Sequence, residues 1–156
     1  YLERKNMELK NLLVDSKTTW VEFPGLDGFE VELANLSRKE LVKIRKACIS
    51  NKFNRKTRAF EEVMDDDKFV KEFSTATVKG WKGLKLKYLE DLVLVDISKQ
   101  DPEADLEYSV DNALLLVENS SEFDNWLNEV VFDLDHFRSE EQRENKEKAA
   151  AVPNEQ

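Results

Sequence analysis

The sequence has one cysteine, one histidine, four glycines and three prolines among its 156 residues. Because Cys48 has no second cysteine to pair with, an internal disulfide is excluded, which favours a reducing cytoplasm. Cys48 and His136 alone cannot supply a tetrahedral metal site. Cys48 fits the apolar stripe of a helix and His136 a helix boundary, so neither is expected to act as nucleophile or base. We therefore expect no catalytic residue, no cofactor and no metal.

Long apolar runs are also lacking. No stretch approaches the roughly 18–20 apolar residues that span a bilayer, and residues 2–6 are too polar for a signal peptide, so we expect no membrane partner. Gly80 and Gly83 are not followed by the Lys-Ser/Thr pair of a phosphate-binding loop. Acidic residues alternate around position 103, but Leu106 and Asn112 stand where a helix-loop-helix calcium site needs Gly and Glu.

The net charge of -9 is unevenly distributed. Between residues 38 and 58 the one acid is Glu40, whereas acids dominate from Tyr88 onward. The basic residues of this stretch are Arg38, Lys39, Lys43, Arg45, Lys46, Lys52, Arg55, Lys56 and Arg58. Such polarity has two interpretations: solvated faces of a monomer, or surfaces that bind charged partners or further copies of the chain. The overall acidity argues against nucleic acid as a partner.

Residues 18–33 have the pattern of a β-hairpin. Two runs of β-branched, aromatic or alternating apolar residues flank the turn-forming residues 24–28. One face of the hairpin would carry Phe29, Val31 and Leu33. Ser37 and Glu40 then form a capping-box pattern, which predicts a basic amphipathic helix that ends near residue 50.

The pattern that follows is mostly helical. Residues 52–58 are predicted to be a basic link, and a second helix is predicted to begin near Ala59 or Asp66 and to run to Val78. Residues 110–118 are apolar almost all round, which predicts a short helix that is largely enclosed.

A Gly-Trp-Lys-Gly motif joins the second helix to the rest of the chain. Gly80 and Gly83 suit the left-handed conformation that ends a helix, and Trp81 beside them can fold back to seal one end of a core. The motif therefore indicates architecture rather than catalysis. After it, residues 84–97 fit a strand or a helix, and residues 101–105 read as a loop.

The clearest helical pattern follows Ser121, which we predict to be its N-cap. Its apolar stripe consists of Phe123, Trp126, Leu127, Val130, Val131, Leu134 and Phe137. Phe132 lies roughly opposite this stripe, at about 100° per residue. It is covered either by another part of the chain, for which residues 2–14 are the candidate, or by a partner. The partner surface is the hypothesis to test.

These elements predict an α+β fold that is predominantly helical, with an N-terminal β-hairpin followed by a small helical bundle. We divide the chain into three parts. Residues 1–16 are a candidate docking helix, residues 17–138 form a single domain, and residues 139–156 are a polar tail, helical and then disordered.

Three short motifs occur in a recognisable order. They are Val78-Lys79-Gly80-Trp81-Lys82-Gly83-Leu84, Tyr108-Ser109-Val110-Asp111-Asn112-Ala113-Leu114-Leu115-Leu116 and Phe123-Asp124-Asn125-Trp126-Leu127. In this order they resemble the tail assembly chaperones of long-tailed bacteriophages, in which a Gly-Trp-x-Gly-Leu turn precedes a Tyr-Ser helix and a Phe-x-x-Trp helix. The likeness covers residues 18–138, although residues 85–107 are longer and richer in Val and Leu than the family pattern.

The resemblance implies a chaperone-like domain without enzymatic activity. Such a protein binds the tape-measure protein and helps recruit tail-tube subunits during tail assembly. It acts in the cytoplasm of the infected host and is not expected in the mature virion. A longer product often arises in this family by ribosomal frameshifting. Two alternatives stay open: another phage or prophage structural or adaptor protein without enzymatic activity, and an enzyme or nucleic-acid regulator.

The candidate residues form two sets. The interaction residues, for a partner or for self-association into an oligomer or spiral, are Phe132, Arg38, Lys39, Lys43, Arg45 and Lys46. The structural motif residues are Gly80, Trp81, Gly83, Phe123 and Trp126.

Overall fold

A computed structural model describes residues 8–13 and 17–138. In chain order the elements are α1 (Leu9–Leu12), β1 (Thr18–Glu22), β2 (Glu30–Ala34), α2 (Arg38–Ala47), β3 (Ile49–Asn54), β4 (Ala59–Met64), α3 (Asp66–Thr77), β5 (Val78–Lys82), α4 (Leu86–Leu92), α5 (Val110–Asn119), α6 (Ser121–Val131) and a 3-10 helix (Leu134–Phe137). The predicted tail, residues 139–156, and much of the predicted docking helix, residues 1–16, lie outside the described residues. The division of the chain into three parts therefore stays a prediction.

The predicted N-terminal hairpin is present as β1 and β2. The two strands pair antiparallel from Thr18 opposite Ala34 to Glu22 opposite Glu30. The three apolar residues predicted for one face, Phe29, Val31 and Leu33, are completely buried. Alternation of apolar and acidic residues in β2 thus places its apolar face in the core and its acidic face towards solvent.

The Gly-Trp-Lys-Gly segment is a strand, so the prediction of a turn that ends a helix is wrong for Gly80 and Trp81. Helix α3 ends at Thr77, and the next residues, β5, pair antiparallel with β2 to give a sheet of order β1-β2-β5. Gly80 is extended, and a Cβ on it would lie 3.8 Å from the Trp20 ring. Of the two glycines only Gly83 is left-handed, with φ of 74°.

A second hairpin replaces the predicted basic link and the earlier of the two predicted helix starts. Strands β3 and β4 pair from Ile49 opposite Met64 to Asn54 opposite Ala59. The Asn54 side chain accepts the backbone N–H of Lys56 at 2.8 Å, which stabilises the turn. The prediction of a predominantly helical fold is therefore wrong, because the protein is mixed α/β with two antiparallel sheets.

The core lies between the three-stranded sheet and the helices that follow it. Helix α3 packs against β2, β5 and α5, and α5 packs against α6. The largest completely buried apolar side chains are Phe29, Phe123, Leu33, Leu84, Leu127, Val31, Val78 and Val131. None of the helices that the structure describes between residues 8 and 138 has the length and hydropathy needed to cross a bilayer.

Residues 93–109, here called the return loop, follow α4 without regular structure. The backbone N–H of Leu86 donates to the Ala104 carbonyl at 2.9 Å, and that of Leu106 donates to the Leu84 carbonyl at 2.8 Å. Two lysines, Lys85 and Lys87, contact the carboxylate of Glu103 at 2.9 and 2.7 Å. These bonds hold the end of the loop beside the start of α4.

Candidate protein-binding surfaces

Helix α2 presents the five predicted basic residues to solvent. It begins with the predicted capping box, in which the Ser37 hydroxyl accepts the Glu40 backbone N–H at 3.2 Å. Arg38, Lys39, Lys43, Arg45 and Lys46 are all exposed. Within residues 8–13 and 17–138 none of the five forms a salt bridge. Helix α2 therefore offers positive charge that forms no ion pair with a carboxylate in the part of the chain that the structure describes.

Phe132 lies at the C-terminal end of α6 and is 43% exposed. Its ring centroid is 6.3 Å from that of Phe73 on α3, which in turn stacks on Phe69 at 6.0 Å. We call Phe69, Phe73 and Phe132 the Phe row. Phe73 is buried, whereas Phe69 is half-buried. The row therefore has a buried centre and two ends that reach the surface.

Phe132 forms one end of the Phe row, and one predicted basic residue, Arg45, lies beside the other end. The guanidinium carbon of Arg45 lies 6.0 Å from the centre of the Phe69 ring, at the edge of the distance range of cation–π contacts. The backbone N–H of Leu36, just before α2, donates to the carbonyl of Val131 at 3.2 Å. This bond ties the start of α2 to the end of α6. A cationic group therefore lies beside the Phe69 end of the Phe row.

Of the structural motif residues, Trp81 and Phe123 are buried, whereas Gly80, Gly83 and Trp126 are half-buried. Aromatic rings follow one another from Trp81 through Phe29 and Phe23 to Trp126, with centroids 6.5, 5.7 and 4.9 Å apart. Phe123 is completely buried and lies 6.1 Å from Phe23. Trp81 and Phe123 thus contribute buried aromatic area to the core.

Tyr108 packs against the other side of Trp81, with centroids 5.3 Å apart. Its hydroxyl donates to the carbonyl of Val78 at 2.9 Å. Burial, followed by the negative charge of Glu32, raises the pKa of Tyr108 above its ordinary value. Tyr108 is thus a neutral structural donor that holds the return loop to β5.

An apolar groove lies between α4, α5 and the return loop. The prediction that residues 110–118 are largely enclosed is wrong here, because Leu115 is 55% exposed. The groove has a volume of about 410 Å³ and is lined by Leu89, Val93, Leu94, Val95, Leu106 and Leu115, among others. Leu94 is fully exposed. The sequence did carry a signal for this groove. A helix that is apolar all round needs cover on every side, and the side of α5 that the fold leaves uncovered is a candidate binding surface.

The β3–β4 hairpin, residues 49–64, is here called the arm. It carries a second pair of exposed apolar side chains. Phe53 lies directly opposite Phe60, with ring centroids 5.4 Å apart in an edge-to-face arrangement. The two side chains are 55% and 74% exposed. The turn between them holds Arg55, Lys56 and Arg58. The backbone of Arg58 is in the left-handed conformation. Sequence reasoning missed this arm because its apolar residues do not alternate cleanly.

Titratable groups meet at an open pocket beside the second hairpin, which is lined by Lys52, Asp65, Asp66 and Asp67. The ion pairs with Lys87 and Lys85 lower the pKa of Glu103 to about 2, but this carboxylate lies at the surface, where it fixes the return loop. No group of three or more His, Cys, Asp or Glu residues within residues 8–13 and 17–138 could hold a metal ion. What these surfaces can do chemically is to bind other apolar and charged surfaces.

In comparisons with known proteins, no family model, no curated protein and no solved structure matches this chain. The resemblance in motif order to tail assembly chaperones therefore stays a prediction.

Proposed function

We propose that this protein is a tail assembly chaperone of a long-tailed bacteriophage. It binds the tape-measure protein, helps recruit tail-tube subunits and associates with further copies of itself in the cytoplasm of the infected host. It makes and breaks no covalent bond, and it leaves before the virion is complete. The choice of partner comes from the motif order, and the observation that carries the binding role is the Phe row beside Arg45.

The Phe row suits an amphipathic helix as its ligand. An exposed aromatic ring backed by a buried one is a rigid apolar anchor, and such residues contribute much of the binding energy of protein interfaces. The unpaired cations of α2 would meet acidic residues that flank the apolar stripe of the helix. A long ruler protein presents many such stripes, which need reversible cover before the tail tube encloses them.

Co-purification with the tape-measure protein of the same phage tests this proposal. Phe132→Asp should raise the dissociation constant at least tenfold, equivalent to about 1.4 kcal/mol, because the charge would be buried against the partner helix. Val110→Asp, an equally polar change at an exposed apolar residue that belongs neither to the Phe row nor to the groove lining, should leave tape-measure binding unchanged. Circular dichroism would establish that both variants fold.

Two results would contradict the proposal. One is a wild-type protein that does not bind the tape-measure protein, and the other is a folded Phe132→Asp variant that binds it as tightly as the wild type. Detection of the protein in purified infectious particles would instead favour the alternative, a phage structural or adaptor protein.

A further inference from the structure

We propose that the arm of one copy inserts Phe53 and Phe60 into the groove of a second copy, so that copies associate head to tail. The inference deepens the self-association within the proposed function and rests on that part of it, and it assigns the two surfaces that meet.

The arm has the features of an inserting element. It projects an edge-to-face Phe53–Phe60 pair at the end of a two-stranded hairpin, and both rings are more than half exposed. An isolated two-stranded hairpin is marginally stable in water, so an arm of this kind gains from being covered. Its base is fixed to the body where the backbone N–H of Asp65 donates to the carbonyl of buried Cys48 at 2.8 Å.

The groove has the size and lining of a receptor for such a pair. A dry apolar cavity of roughly 150 Å³ accepts one benzene ring, so the groove volume of about 410 Å³ has room for both rings. Its most exposed lining side chains are Leu94 on the return loop and Leu115 on α5. Large exposed apolar side chains grouped around a concavity mark an interaction site.

The charges of the two surfaces are complementary. Between the two phenylalanines the arm carries Arg55, Lys56 and Arg58 and no acid. Residues 89–119, which supply the groove and its surroundings, carry nine acidic residues and one basic residue, Lys99. Opposite charge around an apolar contact guides and orients association. The chemistry of the groove therefore favours a basic aromatic partner, and the arm of another copy is one.

The association is heterologous, because arm and groove share no residue. An open chain of copies would keep a free arm at one end and a free groove at the other, and such contacts generate rings or open helical assemblies rather than closed dimers. A heterologous contact therefore predicts assemblies that a symmetric dimer would not form. It also allows a complementation test, because arm and groove can be disabled separately.

The test uses two association-deficient variants of the full chain. The arm variant is Phe53→Asp with Phe60→Asp, and the groove variant is Leu94→Asp with Leu115→Asp. All four side chains are more than half exposed, so both variants should fold, as circular dichroism would verify. Sedimentation velocity should show concentration-dependent assemblies beyond the dimer for the wild type, and monomers for either variant at concentrations at least tenfold higher.

An equimolar mixture of the two variants is the decisive sample. The arm variant still has a groove and the groove variant still has an arm, so the mixture should form a one-to-one dimer and nothing larger. A mixture that stays monomeric would overturn the proposal, as would a variant that assembles like the wild type. A wild type that is monomeric at all concentrations would do so as well. Tape-measure binding is read separately by co-purification, so the proposed chaperone function can fail or survive independently.

Two matched charge-reversal variants test which basic surface takes part in self-association. Arg55→Glu with Arg58→Glu, in the arm, should weaken self-association at least tenfold. Arg38→Glu with Lys43→Glu changes the net charge equally but on α2, and should leave self-association unchanged. Equal loss in both pairs would show a general effect of net charge and would contradict insertion of the arm.

Discussion

The indole N–H of Trp81 donates a hydrogen bond of 2.9 Å to the carbonyl oxygen of Leu106. Trp81 belongs to β5, in the middle of the fold, whereas Leu106 belongs to the return loop and lines the groove. One side chain thus connects the buried sheet to a wall of the proposed binding surface. The strand that sequence reasoning took for a turn is therefore what positions the groove.

Loss of this bond should be measurable in the stability of the protein. Trp81→Phe is expected to lower the free energy of unfolding by about 1–3 kcal/mol, since it leaves the Leu106 carbonyl without its partner. Urea denaturation would measure the change. Trp20→Phe is the control, because Trp20 is 44% exposed, and it should cost less than about 0.5 kcal/mol. Equal losses in the two variants would be inconsistent with this role of Trp81.

Two of the three left-handed glycines, Gly83 and Gly25, should respond very differently to alanine. A Cβ at Gly83 would lie 2.0 Å from the carbonyl oxygen of Gly28, whereas a Cβ at Gly25 would meet nothing within 4 Å. Gly25→Ala should therefore cost only backbone strain, about 1–2 kcal/mol. Gly83→Ala adds overpacking of about 1–3 kcal/mol. Thermal or urea unfolding of both variants measures the difference, and a Gly83→Ala variant no less stable than Gly25→Ala would refute the predicted close approach.

Acid should weaken the attachment of the return loop. The pKa of Glu103 is lowered from 4.5 to about 2 by its ion pairs with Lys87 and Lys85. A carboxylate whose pKa is lowered by folding stabilises the protein at pH values above its ordinary pKa. This stabilisation is lost as the pH falls from about 4.5 towards about 2. Glu103→Gln should therefore lose less stability than the wild type between about pH 5 and about pH 3. Urea midpoints at both pH values test this, and parallel losses would mean that the ion pairs contribute nothing.

Salt should weaken the proposed self-association. Raising the ionic strength from about 0.1 M to about 1 M shortens the Debye length from about 10 Å to about 3 Å, which screens the basic arm from the acidic groove. Sedimentation at both salt concentrations should show smaller assemblies at the higher one. The apolar contact of Phe53 and Phe60 is not screened, so a residual association should remain. Assemblies of unchanged size would indicate that charge has no part in the contact.

Local patterns were sufficient for part of the fold. The first hairpin, the capping box at Ser37 and the α3 start at Asp66 were predictable because each depends on a few neighbouring residues. Strand β5 was not, because its partner β2 is remote in sequence and Gly80 is a poor strand former. The glycine is tolerated there because the Trp20 ring of β1 lies over it.

The candidate site was predictable only as separate residues. Periodicity placed Phe132 off the buried stripe and Arg45 on a basic helix. Their connection runs through Phe69 and Phe73 of α3, which lie between them and are remote from both in sequence. The groove was missed for a different reason. A helix that is apolar all round does not reveal which of its sides the fold leaves open, and that side, Leu115, faces the return loop only in the folded chain.

The three tryptophans sample three different surroundings. Trp81 is buried, Trp126 is half-buried against Phe23, and Trp20 lies on the outer face of the sheet with the Lys82 ammonium 4.7 Å from its ring. Each indole should therefore emit at its own wavelength and respond differently to an aqueous quencher such as iodide. Variants that keep a single tryptophan turn these three positions into optical probes, which would follow the core, the last helix and the open sheet face separately in an assembling mixture.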